Sequence, residues 1–212
     1  KQVYWEFNMM YSAAHIAHYF LTGPGRDGRF GVLTNMKLQK LVYYTKVWSL
    51  IDGNNIVHEP IYRWEHGPVS SDLYRILKKN GKSEIPTIEG AWSDLDPHAA
   101  LIADIVMYTY GRLSAFELSD LTHSEDPWSS TLPNNEITSQ VITEYYSKHP
   151  FAVNFPVGDD RPFHPLMTQS AHAYTFDMTE ETRNSMGVYA SFTEYKHIVD
   201  LTLEAGSVFR RS

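Results

Sequence analysis

The chain has 212 residues, of which 42% are hydrophobic, 20% charged and 14% aromatic, and its formal net charge at pH 7 is −7. This composition is typical of one folded domain, with or without an appended segment, and not of a disordered chain. Cysteine is absent, which excludes disulfides, thiolate nucleophiles and metal sites with cysteine ligands.

The charge distribution argues against a protein that coats nucleic acid, because binding to the phosphate backbone requires clustered Lys and Arg. The basic groups Lys78-Lys79 with Lys82, and Arg210-Arg211, are interpreted as solvated helix ends. The first residues lack the pattern of a signal peptide, and no apolar run approaches the ~20 residues that a membrane span needs. We therefore expect a cytoplasmic protein without a membrane partner.

Helical spacing of apolar residues predicts a first helix over residues 7–21, followed by a loop rich in Gly and Pro. Thr34 or Asn35 can cap a second helix over residues 36–52, since a side-chain oxygen there accepts from a free amide of the first turn. One stripe of this second helix is apolar. We expect the opposite face to be available at the surface; it carries Lys37, Lys40, Tyr44 and Lys46.

Alternating apolar residues predict a short strand within residues 56–64, which we expect to pair with residues 84–88. Between them, Gly67-Pro68 predicts a turn. Capping residues and apolar stripes predict four more helices: from Ser70 or Ser71 to Gly81, from Asp96-Pro97 to Gly111, from the capping box Ser114 and Glu117 to Thr122, and over residues 135–148.

The sequence pattern changes near residue 150, which predicts a domain boundary there. Pro156, Gly158, Pro162 and Pro165 interrupt any regular pattern, and helical spacing returns only over residues 192–205. The expected fold is mainly α: a compact multi-helix domain at residues 1–150 with a small β-hairpin-like element, and a C-terminal extension at residues 151–212.

The sequence carries no pattern typical of an enzyme, so we predict no catalytic, cofactor or metal site. His15 and His18 lie three residues apart on a helix, but the His-Glu-x-x-His arrangement is missing, and we interpret them as surface or core histidines. Phosphate loops, nucleophile elbows and kinase motifs are also missing. The acidic pairs Glu125-Asp126, Asp159-Asp160 and Glu180-Glu181 are interpreted as solvated loop residues.

Tyr and Trp are concentrated in three segments, and such side chains suit both interfaces and aromatic cores. The core interpretation is favoured for Trp48 and Trp64. Both interpretations stay open for Tyr44, Tyr74 and Trp128.

Three segments together resemble the SocA-like antitoxin family, also called the Panacea domain, which is found in phage-associated proteins. They read Thr34-Asn-Met-Lys-Leu-Gln-Lys-Leu-Val-Tyr-Tyr44, Trp64-Glu-His-Gly-Pro-Val69 leading to Tyr74, and Leu118-Ser-Asp-Leu-Thr-His-Ser-Glu-Asp-Pro-Trp128. With the opening helix, the resemblance covers about residues 8–148.

The resemblance implies a mostly helical, non-enzymatic antitoxin, encoded beside its toxin in bacteria or prophages, that neutralises the toxin by direct contact. One member looks like a proteolytic adaptor that delivers its toxin to a Clp protease, so this mechanism stays open. A DNA-binding autoregulator is a further alternative, which the acidic charge disfavours, and the absence of catalytic spacing disfavours an enzyme that reverses the toxin's modification.

The positions that match the family fall into two groups. Those expected to determine the fold are Leu38, Leu41, Trp64, Gly67, Pro68, Val69, Leu121, Thr122 and Pro127. Those expected to face a partner are Gln39, Lys40, Tyr44, His66, Tyr74, His123, Glu125 and Trp128. The extension beyond residue 150 either contributes partner specificity or packs on its own domain.

Overall fold

The structure, a computed structural model, describes residues 9–158, 161–166 and 187–209. Within these residues the chain forms eight α-helices and one two-stranded antiparallel hairpin, which confirms the mainly helical fold. The elements are α1 (Ala13–Thr22), α2 (Asn35–Ile51), β1 (Tyr62–Trp64), β2 (Gly67–Val69), α3 (Ser71–Leu77), α4 (Pro97–Tyr110), α5 (Ala115–His123), α6 (Asp126–Ser129), α7 (Ser139–Tyr146) and α8 (Phe192–Phe209). Two short 3₁₀ helices cover Lys78–Asn80 and Pro150–Asn154.

Helix α2 is the centre of the fold and is buried on every side. Every residue from Lys37 to Ser49 is buried, because α1, α3, α4, α5, α7 and the hairpin all pack against this helix. The prediction that one face of α2 is available at the surface is therefore wrong.

Three buried lysines of α2 donate to backbone carbonyl groups in the loops around it. The Lys37 ammonium lies 2.6 Å from the carbonyl oxygens of Phe30 and Gly111. The Lys46 ammonium donates to two carbonyls in the segment before β1, and the Lys40 ammonium donates to the Pro68 oxygen at 3.1 Å. Buried charges are tolerated only with such partners, so these contacts fix each loop relative to α2.

The hairpin differs from the expected strand pairing. Strand β1 pairs with β2, with Tyr62 opposite Val69 and Trp64 opposite Gly67. The turn therefore lies at residues 65–66, two residues earlier than predicted. Residues 84–88 do not form the expected partner strand. The Ile85 amide donates instead to the Leu33 oxygen at 2.8 Å, since the short turn gives β1 a closer partner.

The helix starts predicted from capping residues are confirmed for α2 to α5, and where two candidates were open the first of each pair is the cap. Thr34, Ser70 and Asp96 cap α2, α3 and α4, and Ser114 with Glu117 forms the capping box of α5. Two predicted helices start later than expected. Helix α1 begins at Ala13, and α7 begins at Ser139 because residues 134–137 run beside β1 through backbone hydrogen bonds to Arg63 and Ile61.

The described parts of the C-terminal extension pack on the rest of the chain. The Phe155 ring stacks on Trp48 with a centroid distance of 5.2 Å, and the Val157 amide donates to the Asp52 carboxylate at 2.7 Å. The helix predicted at residues 192–205 is confirmed as α8, whose Asp200 accepts from Tyr108 at 2.7 Å. None of the helices in the described ranges is both long and apolar enough to cross a membrane.

Gly67 combines a positive φ angle with close packing against two side chains. Its φ angle is +101°, and a Cβ atom there would lie 2.7 Å from the Lys40 side chain and 2.8 Å from the Thr122 hydroxyl. Gly53 also has a positive φ, of +92°, but an added Cβ would meet no atom within 4 Å. Comparing the same substitution at both glycines therefore separates the cost of backbone strain from the cost of steric overlap.

We expect Gly67→Ala to lower the free energy of unfolding by about 3 kcal/mol, because strain and overlap add. Gly53→Ala is the matched control and should cost about 1 kcal/mol from strain alone. Urea unfolding of both variants measures this difference. Equal losses would mean that the packing under Gly67 relaxes freely.

The stacking of Phe155 on Trp48 predicts that the extension stabilises the whole fold. Phe155 is 7% exposed, whereas nearby Val153 is 53% exposed. Phe155→Ala should cost about 3 kcal/mol of unfolding free energy because it leaves a cavity beside Trp48. Val153→Ala, the control, should stay within about 0.5 kcal/mol of the parent chain. A neutral Phe155→Ala would show that the two parts are uncoupled.

Candidate partner-binding surface

A continuous chain of contacts joins aromatic and cationic side chains around the β1–β2 hairpin. The Trp64 ring meets Tyr74 edge-on with a centroid distance of 4.9 Å, and the Trp64 carbonyl accepts from the Trp128 indole at 3.0 Å. The Trp128 ring lies 4.0 Å from the His123 ring and 4.2 Å from the Arg63 guanidinium carbon. We call Arg63, Trp64, Tyr74, His123 and Trp128 the hairpin surface.

The side chains of the hairpin surface are partly exposed, yet each comes from a fixed element. Tyr74 is 37% exposed on α3, and the other four residues are half-buried. Burial and then the charge of Lys40 lower the pKa of His123, so the imidazole favours its neutral form. The surface therefore offers aromatic area with polar edges, which suits contact with another protein.

A buried carboxylate supports this surface from inside. Glu125, the residue before α6, accepts from the Tyr146 hydroxyl at 2.6 Å and from the Tyr44 hydroxyl at 3.1 Å. The Tyr44 ring stacks on Tyr110 with a centroid distance of 4.0 Å. These bonds hold the junction between α5 and α6 in place, and that junction sets the positions of the surface residues on both sides of it.

Burial dominates the electrostatics of this support. It raises the pKa of Glu125 to about 7, although both tyrosine hydrogen bonds act in the opposite direction. Burial also lowers the pKa of Lys40 to about 7. Burial therefore shifts both groups toward their neutral forms, with Glu125 holding its proton more tightly and Lys40 less tightly than an exposed side chain does.

Polar side chains of α2 and α5 fix the hairpin to the core. The Gln39 side-chain oxygen accepts from the Ser70 amide at 2.9 Å, and the Ser119 hydroxyl donates to the His66 oxygen at 3.1 Å. Together with the bond from Lys40 to Pro68, these contacts hold both the root and the turn of the hairpin.

Half of the residues expected to face a partner lie in the interior instead. Gln39, Lys40, Tyr44 and Glu125 are between 0% and 6% exposed. The expectation that they face a partner does not hold for these four, because their polar atoms bind groups of the same chain. His66, Tyr74, His123 and Trp128 are exposed or half-buried, and their contact with a partner stays a prediction.

The positions expected to determine the fold are mostly buried. Leu38, Leu41, Gly67, Pro68, Val69, Thr122 and Pro127 lie inside, whereas Trp64 and Leu121 are half-buried. Sequence reasoning missed Arg63 as a member of the surface. The available signal was a basic residue between two aromatic residues in a predicted strand.

The described ranges contain no group of three His, Asp or Glu side chains that could hold a metal ion. His15 and His18 flank the Trp92 ring at centroid distances of 5.4 and 5.6 Å, so both pack against an aromatic loop residue. The acidic pairs at residues 159–160 and 180–181 lie outside the described residues.

The raised pKa of Glu125 predicts a pH-dependent stability. The pKa rises from 4.5 to about 7 on folding, so the folded chain binds more protons between these values and stability falls as the pH rises through them. The total effect is about 3 kcal/mol. Glu125→Gln should remove this fall, as measured by urea unfolding at pH 5 and pH 7.5.

Glu89→Gln, at an exposed carboxylate, is the matched control and should keep the pH profile of the parent chain. If Glu125→Gln also keeps that profile, then the buried carboxylate does not titrate in this window.

Residues 38–129 match the family model described as "Antitoxin SocA-like, Panacea domain". Comparisons with curated proteins and with solved structures give no match. The matched range runs from α2 to α6 and contains all five residues of the hairpin surface. Over residues 38–129 the chain is therefore similar to the Panacea domain of the SocA-like antitoxin family.

Proposed function

We propose that this protein is an antitoxin that neutralises a cognate toxin enzyme by binding it directly through the hairpin surface. The observation that carries this proposal is the position of the surface: its contiguous, partly exposed aromatic side chains all lie inside the range that matches an antitoxin family. A binding role also agrees with the sequence, which lacks any catalytic pattern.

The hairpin surface is rich in the residue types that contribute most to binding energy at protein interfaces. Trp, Tyr and Arg are the residues that most often dominate binding energy at protein interfaces, and the surface contains two Trp, one Tyr and one Arg. Because these side chains are partly exposed, a partner can contact them, and their buried parts fix their orientation before contact.

The support beneath the surface reduces the cost of binding. Trp128 is held by its hydrogen bond to Trp64, and the hairpin is fixed by Lys40 and Gln39. Side chains that are already ordered lose less conformational entropy on association, so more of the contact energy contributes to affinity. A fixed platform of this kind favours direct occlusion of a toxin surface.

We expect Tyr74→Ala and Trp128→Ala each to weaken toxin binding by at least about 2 kcal/mol, or about 30-fold, because each removes an aromatic anchor. The measurement is the dissociation constant of the full chain with the product of the neighbouring reading frame, together with growth rescue on co-expression. Tyr44→Ala is unsuitable because Tyr44 is buried and would report on folding.

Leu201→Ala is the matched control, since Leu201 is 52% exposed on α8 and far along the chain from the hairpin. It should leave affinity and rescue unchanged. If Leu201→Ala abolishes binding while both hairpin variants bind normally, the extension is the binding site. A complex that rescues growth only in cells with an active Clp protease would indicate a proteolytic adaptor.

A further inference from the structure

Arg63 is held rigidly on the outer edge of the hairpin. Its amide donates to the Asn135 oxygen at 2.9 Å, and its carbonyl oxygen accepts from the Asn134 amide at 2.8 Å. Its guanidinium lies over the Trp128 indole at 4.2 Å, and the indole is itself fixed by its hydrogen bond to Trp64. The position of the cation is therefore set by the backbone on one side and by an aromatic ring on the other.

This guanidinium has no acceptor among the residues that the structure describes. The Nε atom of Arg63 is buried without a hydrogen-bond partner, and the ion pairs of the described ranges do not include this side chain. Arg75 on nearby α3, by contrast, lies 2.7 Å from Asp72. A buried donor without an acceptor is uncommon and costly, because burial removes its water partners.

The stretch of sequence that contains Arg63 is positive in an otherwise acidic chain. Between Tyr62 and Lys82 the sequence has five basic and two acidic side chains, a formal charge of +3, whereas the whole chain carries −7. Lys78, Lys79 and Lys82, which follow Tyr74, are all exposed. A local positive field attracts an acidic surface and raises the rate of encounter with it.

We infer that Arg63 binds a carboxylate on an acidic segment of the protein partner. This inference rests on the proposed function and names the chemistry of the partner at the same surface. A guanidinium offers two parallel N–H groups that match the two oxygens of a carboxylate. The Trp128 ring lies over the guanidinium and the Nε atom is buried, so the two terminal Nη groups are the donors that an incoming Asp or Glu side chain can reach.

An acidic protein segment fits this site better than a nucleic acid does. Arginine and aromatic rings also bind single-stranded nucleic acid, but that mode needs a groove that follows many phosphates. The hairpin surface has a single arginine, and the chain as a whole would repel a polyanion at close range. A single carboxylate flanked by other acidic side chains needs only this local positive region.

The test uses the full chain and the toxin, defined as the neighbouring gene product that the parent chain binds. Arg63→Gln should raise the dissociation constant at least tenfold, about 1.4 kcal/mol, and reduce its dependence on salt concentration. Arg63→Lys should recover only part of the affinity, because a lysine lacks the two-pronged donor. Arg75→Gln is the control, since Arg75 already pairs with Asp72, and should change the constant less than twofold.

Substituting the toxin's acidic residues one at a time by Asn or Gln should identify one position whose effect disappears when Arg63 is already Gln. Affinity within twofold of the parent for Arg63→Gln, in a complex that forms normally, would overturn this inference and leave the proposed function standing. Absence of any complex would overturn both. Loss of binding to a single-stranded oligonucleotide probe by Arg63→Gln, with toxin binding intact, would assign the surface to nucleic acid instead.

Discussion

The hydrogen bonds between the buried lysines of α2 and backbone carbonyls are the interaction on which the rest of the structure depends. A helix surrounded on all sides is usually apolar throughout, whereas α2 carries Lys37, Lys40 and Lys46 inside the fold. Each ammonium group replaces its water by carbonyl oxygens from a loop or strand. Because charge in an apolar interior is costly, the loops are held where these oxygens are needed.

The hairpin surface follows from this constraint in two steps. Lys40 and Gln39 of α2 hold β2 and the start of α3, which places Trp64 and Tyr74 side by side. The carboxylate of Glu125, bound by two tyrosines, places α6 and Trp128 against the other edge of the hairpin. The exposed aromatic side chains are thus positioned by polar groups that no partner can reach directly.

The sequence was informative wherever structure depends on neighbouring residues. Asp96 followed by Pro97, and Ser114 followed by Glu117, define helix starts through bonds within four residues, so both were predictable. Strand pairing was less predictable, because β1 pairs with β2 across a two-residue turn and not with residues 84–88. The segment near Ile85, which was predicted to be a strand, does form a backbone hydrogen bond. Its partner is Leu33, however, and no local sequence pattern indicates that contact.

The candidate site was less predictable than the fold because lysine, glutamine and glutamate in a helix resemble a solvated face. Lys40 and Glu125 were assigned to the surface by residue type, whereas their burial depends on carbonyl and hydroxyl groups that come from remote segments. Arg63 was missed as a surface residue, because its position depends on Trp128, which is 65 positions away in the sequence.

The close approach of Gly67 to Lys40 and Thr122 has a consequence for how such a domain can diverge. Gly67 directly follows the turn of the hairpin, so a larger residue at this position requires a smaller side chain at residue 40 or residue 122. Glu65 and His66, in the turn beside it, are exposed, so substitutions of these two side chains disturb less packing. The turn can therefore change its exposed chemistry while the frame beneath it stays the same.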